Sequence, residues 1–328
     1  MLLAAGGAAM ILASQTVENT NRNRRKMIEA LSAAERQGNI ASPTPTETAL
    51  PATPTPPISP TPTVTPTPSP TPTPTSNPTA SPSPKPTSPP VSGPPGAGLS
   101  TITVATSKGN FRATVLAINL ANTKIITDTG NDGECGSNCT VLPLATYVNR
   151  NGGFAGVNGS YFCPATYPDC ASKSNSFDFP VYNTRLNRWI NGGNLSWGSR
   201  SIFYTDGSGA HHLQGANSFS GSLNAGVVNN PGLLADGNVQ IDDNQSGLAD
   251  KQKIKNTKVG IGLRDNQNVM VVIAQNVNMQ EFAYVFKSLG AKAALNLDTG
   301  GSAAMVYNGH YVFGPGRDIP NAIVFAKR

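Results

Sequence analysis

One stretch near the C-terminus combines the residue types that hydrolytic chemistry needs. The apolar residues 293–297 predict a buried strand, which runs directly into the segment DTGGS beginning at Asp298. A carboxylate there can activate water, and the two glycines let a ligand approach backbone N–H groups that bind an oxyanion. An ordinary turn uses the same residue types, so this segment alone does not distinguish a catalytic site from a turn.

Four more segments place polar and glycine residues beside apolar runs. Each is weak evidence by itself, because pairs such as Asn-Gly are common in turns. In chain order they are residues 156–162 (GVNGSYF), 231–237 (PGLLADG), 256–261 (NTKVGI) and 317–322 (RDIPNA).

Together, and in this order, the five segments resemble the signature of the phosphodiester glycosidase family. The resemblance covers about residues 100–328 and thins between residues 165 and 225. It implies an exported hydrolase that needs no cofactor and cleaves a sugar from a phosphodiester on surface or secreted glycans. The partner it implies is a carbohydrate or glycan phosphodiester substrate.

The resemblance also implies roles for individual residues. Asp298 would activate water or stabilise the oxocarbenium-like cation, and no second catalytic carboxylate is evident. The implied catalytic residues are Asp298, Asn158 and Thr257. The implied substrate-binding residues are Asn296, Gly159, Gly300, Gly301, Ser302, Arg317 and Lys258. No metal site is expected.

Three positions depart from the family pattern. Asn256 replaces an arginine expected to bind phosphate, while Thr299 and Ser160 each replace a glycine. Asparagine cannot supply the charged, bidentate contact of arginine. The candidates for a replacement charge are Lys255, Lys258 and Arg317. The departures favour an alternative function, a non-catalytic glycan- or cell-wall-binding module on the same fold.

Four cysteines, Cys135, Cys139, Cys163 and Cys170, lie within 36 residues in the spacings C-x3-C and C-x6-C. Zinc ribbons use C-x2-C pairs, so two disulfides are favoured over a zinc-binding interaction protein. Local pairing, Cys135–Cys139 and Cys163–Cys170, is the simplest of three possible connectivities. An even cysteine count favours an oxidising compartment.

Composition divides the chain into three parts. Twenty-one of its 28 prolines lie in residues 43–95, so we expect a disordered Thr/Pro-rich tether over residues 42–98. Before it, residues 1–41 hold a short apolar segment and a short predicted helix. After it, residues 99–328 suit a single globular domain. The modest net charge of +6 and the 6% aromatic content argue against a nucleic-acid partner.

The apolar residues 1–13 are too few to span a bilayer, and we interpret them as the remnant of a signal peptide or membrane anchor. The basic residues that follow them would favour the cytoplasmic side of a spanning helix. The cysteines and the tether nevertheless favour an exported, extracellular or cell-surface protein. We expect that its N-terminus tethers it to a membrane or cell wall.

Hydrophobic patterns predict an α+β fold with a strand-rich mixed central sheet and few helices. A helix is predicted over residues 279–289, with Asn278 and Glu281 as a capping box, and another over 143–150. His211 and His212 are expected in a surface turn, and residues 242–244 with Asp250 in a solvated loop. Predicted strands are 101–106, 112–120, 154–157, 201–204, 259–263, 269–274, 293–297, 303–307 and 322–326.

Overall fold

A computed structural model describes Gly96 and residues 98–244 and 247–328. The expectations for residues 1–41, and for the tether up to residue 95, lie outside these residues. Within the described part of the chain, no helix is long and apolar enough to cross a membrane.

The described residues form seventeen strands, in which each predicted strand is present. In chain order they are β1 (Gly98–Thr106), β2 (Gly109–Asn119), β3 (Thr123–Thr129), β4 (Gly153–Asn158), β5 (Val181–Asn183), β6 (Arg188–Ile190), β7 (Ser201–Thr205), β8 (Ala210–Leu213), β9 (Ala225–Asn229), β10 (Gly232–Ala235), β11 (Asn238–Val239), β12 (Asn256–Leu263), β13 (Asn268–Val277), β14 (Ala293–Asn296), β15 (Met305–Tyr307), β16 (His310–Phe313) and β17 (Asn321–Lys327).

These strands make three sheets, and the strand pairings described are antiparallel. The first sheet has the order β1-β2-β13-β12-β14-β10-β11, the second β16-β15-β4-β17-β3, and the third β6-β5-β9-β7-β8. The α+β, strand-rich prediction is confirmed. The prediction had one central sheet, whereas the structure has three. β5 and β6 of the third sheet were not predicted, because three residues are too few to show a hydrophobic pattern.

Within the residues that the structure describes, three α-helices accompany the sheets: α1 (Leu144–Arg150), α2 (Asp250–Lys253) and α3 (Met279–Ser288). The predicted capping box of α3 is present. Asn278 accepts a hydrogen bond from the Glu281 N–H at 2.8 Å, and Glu281 accepts one from the Asn278 N–H at 2.9 Å. These bonds satisfy N–H groups that a helix start otherwise leaves unpaired.

The main core lies where the three sheets meet, with Val157, Phe203 and Leu295 among its buried members. A second core packs the apolar face of α3, including Phe282 and Phe286, against the other side of the first sheet. A third packs α1 against the second sheet. β13 and β17 are covered on both faces, which explains why their sequences are continuously apolar.

The expectation of a surface turn at His211 and His212 is wrong, because both residues lie in β8. Burial lowers the pKa of His212 to about 4, so this imidazole is neutral at pH 7. Asp242 and Asn244 are exposed as expected, whereas the half-buried Asp243 accepts a hydrogen bond from the Gln280 N–H at the start of α3.

Candidate active site

A cavity of about 510 Å³ lies beyond the C-terminal ends of β4 and β14, next to the first residue of β12. A chamber of this size is typical of small-ligand sites. Its lining comes from four separate parts of the sequence. The lining residues are Tyr161, Phe162, Pro164, Tyr167, Ala249, Lys251, Gln252, Ile254, Asn256, Asp298, Thr299, Gly300, Ser302 and Arg317.

Asp298 presents a carboxyl group in this cavity just beyond the end of β14. Its backbone N–H donates to the Gly159 carbonyl at 2.8 Å, and its Oδ1 accepts from the Thr299 N–H at 2.8 Å. Burial raises the pKa of Asp298 to about 7, although the Ser302 hydroxyl, the Thr299 N–H and the Arg317 charge oppose the rise. A carboxylate with this pKa can accept or release a proton near neutral pH.

Each of the two glycines after Thr299 is required at its position for a different structural reason. Gly300 has a φ of +65°, a conformation that side chains disfavour. A Cβ on Gly301 would overlap the Arg317 guanidinium, so glycine here makes room for that cation. Thr299 itself is extended, with φ −127°, so threonine introduces no backbone strain at this position.

Two cations and one tyrosine form a side of the cavity. The Lys251 Nζ lies 4.4 Å from the Tyr167 ring centroid, and the Arg317 Cζ lies 4.9 Å from the same centroid. Arg317 also donates to the Tyr167 hydroxyl at 3.2 Å. This arrangement concentrates positive charge in the cavity that holds Asp298.

The other two candidate cations have different partners. Lys255 forms a 2.6 Å ion pair with Glu281 of α3. Lys258 is fully buried, and its Nζ donates to the carbonyls of Ile254 at 3.2 Å and Lys251 at 3.4 Å. Burial lowers the pKa of Lys258 to about 8, while Asp243 acts in the opposite direction.

Three buried asparagines hold the backbone around the cavity. Asn158 donates to the Asp298 carbonyl at 2.8 Å and accepts from the Ala304 N–H at 3.1 Å, so it joins the two ends of the turn over residues 298–304. Asn229 donates to the Asn296 carbonyl at 2.8 Å. Asn321 accepts from the Ser160 N–H at 2.8 Å. These bonds fix the segments that carry the lining side chains.

Tyr161 links this network to the cavity. Its hydroxyl accepts hydrogen bonds from the side chains of Asn296 at 2.7 Å and Gln252 at 3.3 Å. Burial raises the pKa of Tyr161 to about 12, while its bonds to Gln252, Thr299 and Asn296 act in the opposite direction. Tyr161 therefore remains protonated at neutral pH.

Both predicted disulfides are present with the local pairing, Cys135–Cys139 and Cys163–Cys170. The second closes a short loop that contains Pro164 and Tyr167, both of which line the cavity. This bond therefore restrains one wall of the site. The described residues contain no group of three or more His, Cys, Asp or Glu side chains placed to hold a metal ion.

The structure brings only part of the predicted residue set to the cavity. Asp298, Gly300, Ser302 and Arg317 line it, and Gly301 lies against Arg317. The predicted residues outside the lining are Asn158, Gly159, Asn296, Thr257 and Lys258.

Sequence reasoning missed Tyr161, Tyr167, Lys251 and Gln252. For Tyr161 a signal was present, since an aromatic residue directly after Asn-Gly-Ser lies within one of the five segments. Lys251 had no comparable indication, because it lies in the polar run DKQK that resembles any solvated surface.

Two solved structures are similar to this chain. The zebrafish N-acetylglucosamine-1-phosphodiester alpha-N-acetylglucosaminidase catalytic domain, auto-inhibited by pro-peptide, is 16% identical with a TM-score of 0.53; the match covers 70% of this chain and 82% of that one. A hypothetical protein from Synechocystis is 15% identical with a TM-score of 0.48 over 70% of this chain. That match spans 62% of the Synechocystis chain, less than two thirds of its length.

A sequence model described as phosphodiester glycosidase matches residues 151–326. Comparison with curated protein sequences gives no match. The family match spans more than half of the chain, and it includes β4, β14 and every residue that lines the cavity. The chain therefore belongs to the phosphodiester glycosidase family.

Proposed function

We propose that this protein hydrolyses sugar-1-phosphodiesters in the cavity that contains Asp298. The observation that carries the proposal is a buried carboxyl group, whose pKa is raised to about 7, in one cavity with the Arg317 guanidinium. The reaction needs a base near neutral pH and positive charge for the departing phosphate. The family supports a hydrolase of this class.

In the proposed reaction, the oxygen of a water molecule bonds to the anomeric carbon of the sugar. The bond between that carbon and the phosphate oxygen breaks, and its electron pair stays on the phosphate. Asp298 takes the proton that the water loses, and Arg317 stabilises the charge of the departing phosphate monoester. Because phosphate is a good leaving group, this reaction does not require a strong general acid.

A second candidate is a binding module that retains the cavity without turnover. It is favoured by Asn256, which lines the cavity where the family pattern has arginine. Such a protein would bind a glycan phosphodiester and leave it intact.

The two functions are separated by incubating the protein with the methyl ester of N-acetylglucosamine 1-phosphate. A hydrolase releases the free sugar and methyl phosphate, and Asp298→Asn lowers that turnover by about 100-fold or more, the size of a general-base contribution. Asp178→Asn is a matched control, because Asp178 is exposed and absent from the cavity lining. Turnover that Asp298→Asn leaves unchanged would refute the catalytic role of Asp298.

Export remains part of the proposal. The two disulfides support an oxidising location, extracellular or lysosomal, because such bonds are rare in the cytosol. Attachment to a membrane or wall through residues 1–98 is the arrangement that the sequence of the tether favours. On this proposal, residues 99–328 carry the catalytic function by themselves.

A further inference from the structure

Lys251 and Arg317 contact the same ring inside the cavity, although they are far apart in sequence. Their charged groups lie 4.4 and 4.9 Å from the Tyr167 centroid, and all three residues line the cavity. The family motifs give no role to Lys251 or Tyr167. Since both cations line one cavity, an anion bound in it beside Tyr167 would be attracted by both charges.

Two buried polar atoms without hydrogen-bond partners indicate which groups a ligand of this cavity carries. Across residues 98–244 and 247–328, the Arg317 Nη1 is buried without an acceptor, and the Asn256 Oδ1 is buried without a donor. Both side chains line the cavity. Since buried polar groups in native proteins are almost always paired, a fitting ligand supplies an anionic oxygen and also a hydroxyl or N–H group. A sugar phosphate supplies both.

The backbone that carries Lys251 is fixed from inside the protein. The buried Lys258 donates to the carbonyls of Lys251 and Ile254, so the end of α2 is held against β12. Gln252, the neighbour of Lys251, donates to the Tyr161 hydroxyl at 3.3 Å. Lys251 is therefore presented by a restrained segment, whereas Lys255 is engaged by Glu281.

We propose that Lys251 supplies the positive charge that Asn256 lacks, and that with Arg317 it binds the phosphodiester group of the substrate beside Tyr167. This inference rests on the proposed function. It makes Lys251 a specificity determinant that favours a phosphodiester over a neutral glycoside. Asn256 then binds a donor group of the sugar through its free Oδ1.

The test compares two probes by calorimetry: the methyl ester of N-acetylglucosamine 1-phosphate, and the neutral methyl α-N-acetylglucosaminide. Lys251→Met keeps much of the side-chain length and removes the charge. We expect it to weaken binding of the diester by about tenfold to a hundredfold, the range of a hydrogen bond to a charged group, and to leave the neutral probe unaffected.

Lys253→Met is the matched control. Lys253 lies in the same short helix, its Nζ is 3.9 Å from the Asp250 carboxylate, and it is outside the cavity lining. This variant should bind both probes like the unmodified protein. Adding Asn256→Arg to Lys251→Met should restore diester binding, because it returns the charge to the position of the family motif.

Binding does not require turnover, so this experiment separates the inference from the proposed function. A protein that binds the diester through Lys251 without cleaving it supports the inference and refutes the hydrolase. Unchanged diester binding by Lys251→Met overturns the inference even if turnover is present. It is also overturned if the unmodified protein does not bind the diester, if both probes lose affinity equally, or if Asn256→Arg gives no rescue.

Discussion

Replacing Asp298 by asparagine should stabilise the protein, and the gain should grow as pH rises from about 4 to about 7. The buried Asp298 has a pKa of about 7, compared with 3.8 for an ordinary aspartate. Between these values the folded protein keeps a proton that the unfolded chain has released. The free energy of unfolding therefore falls as pH rises from about 4 to about 7.

A pKa rise from 3.8 to about 7 corresponds to about 4 kcal/mol of lost stability above pH 7. Asparagine is similar in size and carries no charge, so Asp298→Asn escapes this cost. The difference in unfolding free energy between Asp298→Asn and the unmodified protein should be roughly 3–4 kcal/mol larger at pH 8 than at pH 4. For a domain of this size, that corresponds to a melting-temperature difference of roughly 10 °C.

Urea titrations of both proteins at pH 4 and pH 8 measure this difference directly. Asp178→Asn is the control, because its side chain is 61% exposed and its replacement should give the same small effect at both pH values. A constant difference between Asp298→Asn and the unmodified protein at the two pH values would refute the reasoning. It would show that Asp298 ionises as readily in the folded protein as in the unfolded chain.

Two further variants test the surroundings of Asp298. Arg317→Met removes a charge that lowers the pKa of Asp298, so the rise of kcat/KM with pH should move to higher pH; an unchanged midpoint in the pH profile would contradict this coupling. Replacing Cys163 and Cys170 by serine frees the loop that carries Tyr167, and steady-state kinetics should show KM rising several-fold with little change in kcat. The same double replacement at the other disulfide is the control and should leave KM unchanged.

Much of the fold could be predicted because local patterns determine it. The capping box at Asn278 and Glu281 and the apolar stripe that follows them are sufficient to specify α3. The closely spaced cysteines favoured local disulfides, because short loops close at low entropic cost. By contrast, β5 and β6 have three residues each, which is too few for an alternating pattern to stand out.

The candidate site was only partly predictable, since its members serve two different purposes. Asp298 was recognised because its segment and four others, in chain order, resemble the family signature. Asn158 was assigned a catalytic role and Asn296 a substrate-binding role. In the structure Asn158 forms hydrogen bonds with backbone groups, and Asn296 donates to the Tyr161 hydroxyl. A buried asparagine that fixes a turn and one that contacts a ligand have the same sequence appearance.

The positive charge of the cavity shows most clearly what a motif cannot express. A motif assigns the phosphate contact to position 256, yet the interaction energy depends on the distance between charges and on the dielectric around them. Lys251 reaches the same cavity from a neighbouring segment, because Lys258 holds the backbone that carries it. Lysine is a compact point charge, whereas arginine is a planar fork that fixes phosphate orientation. With Lys251 in place of an arginine at position 256, the cavity still attracts the phosphodiester, but Arg317 must orient it. The position of Arg317 in turn depends on the space left by Gly301.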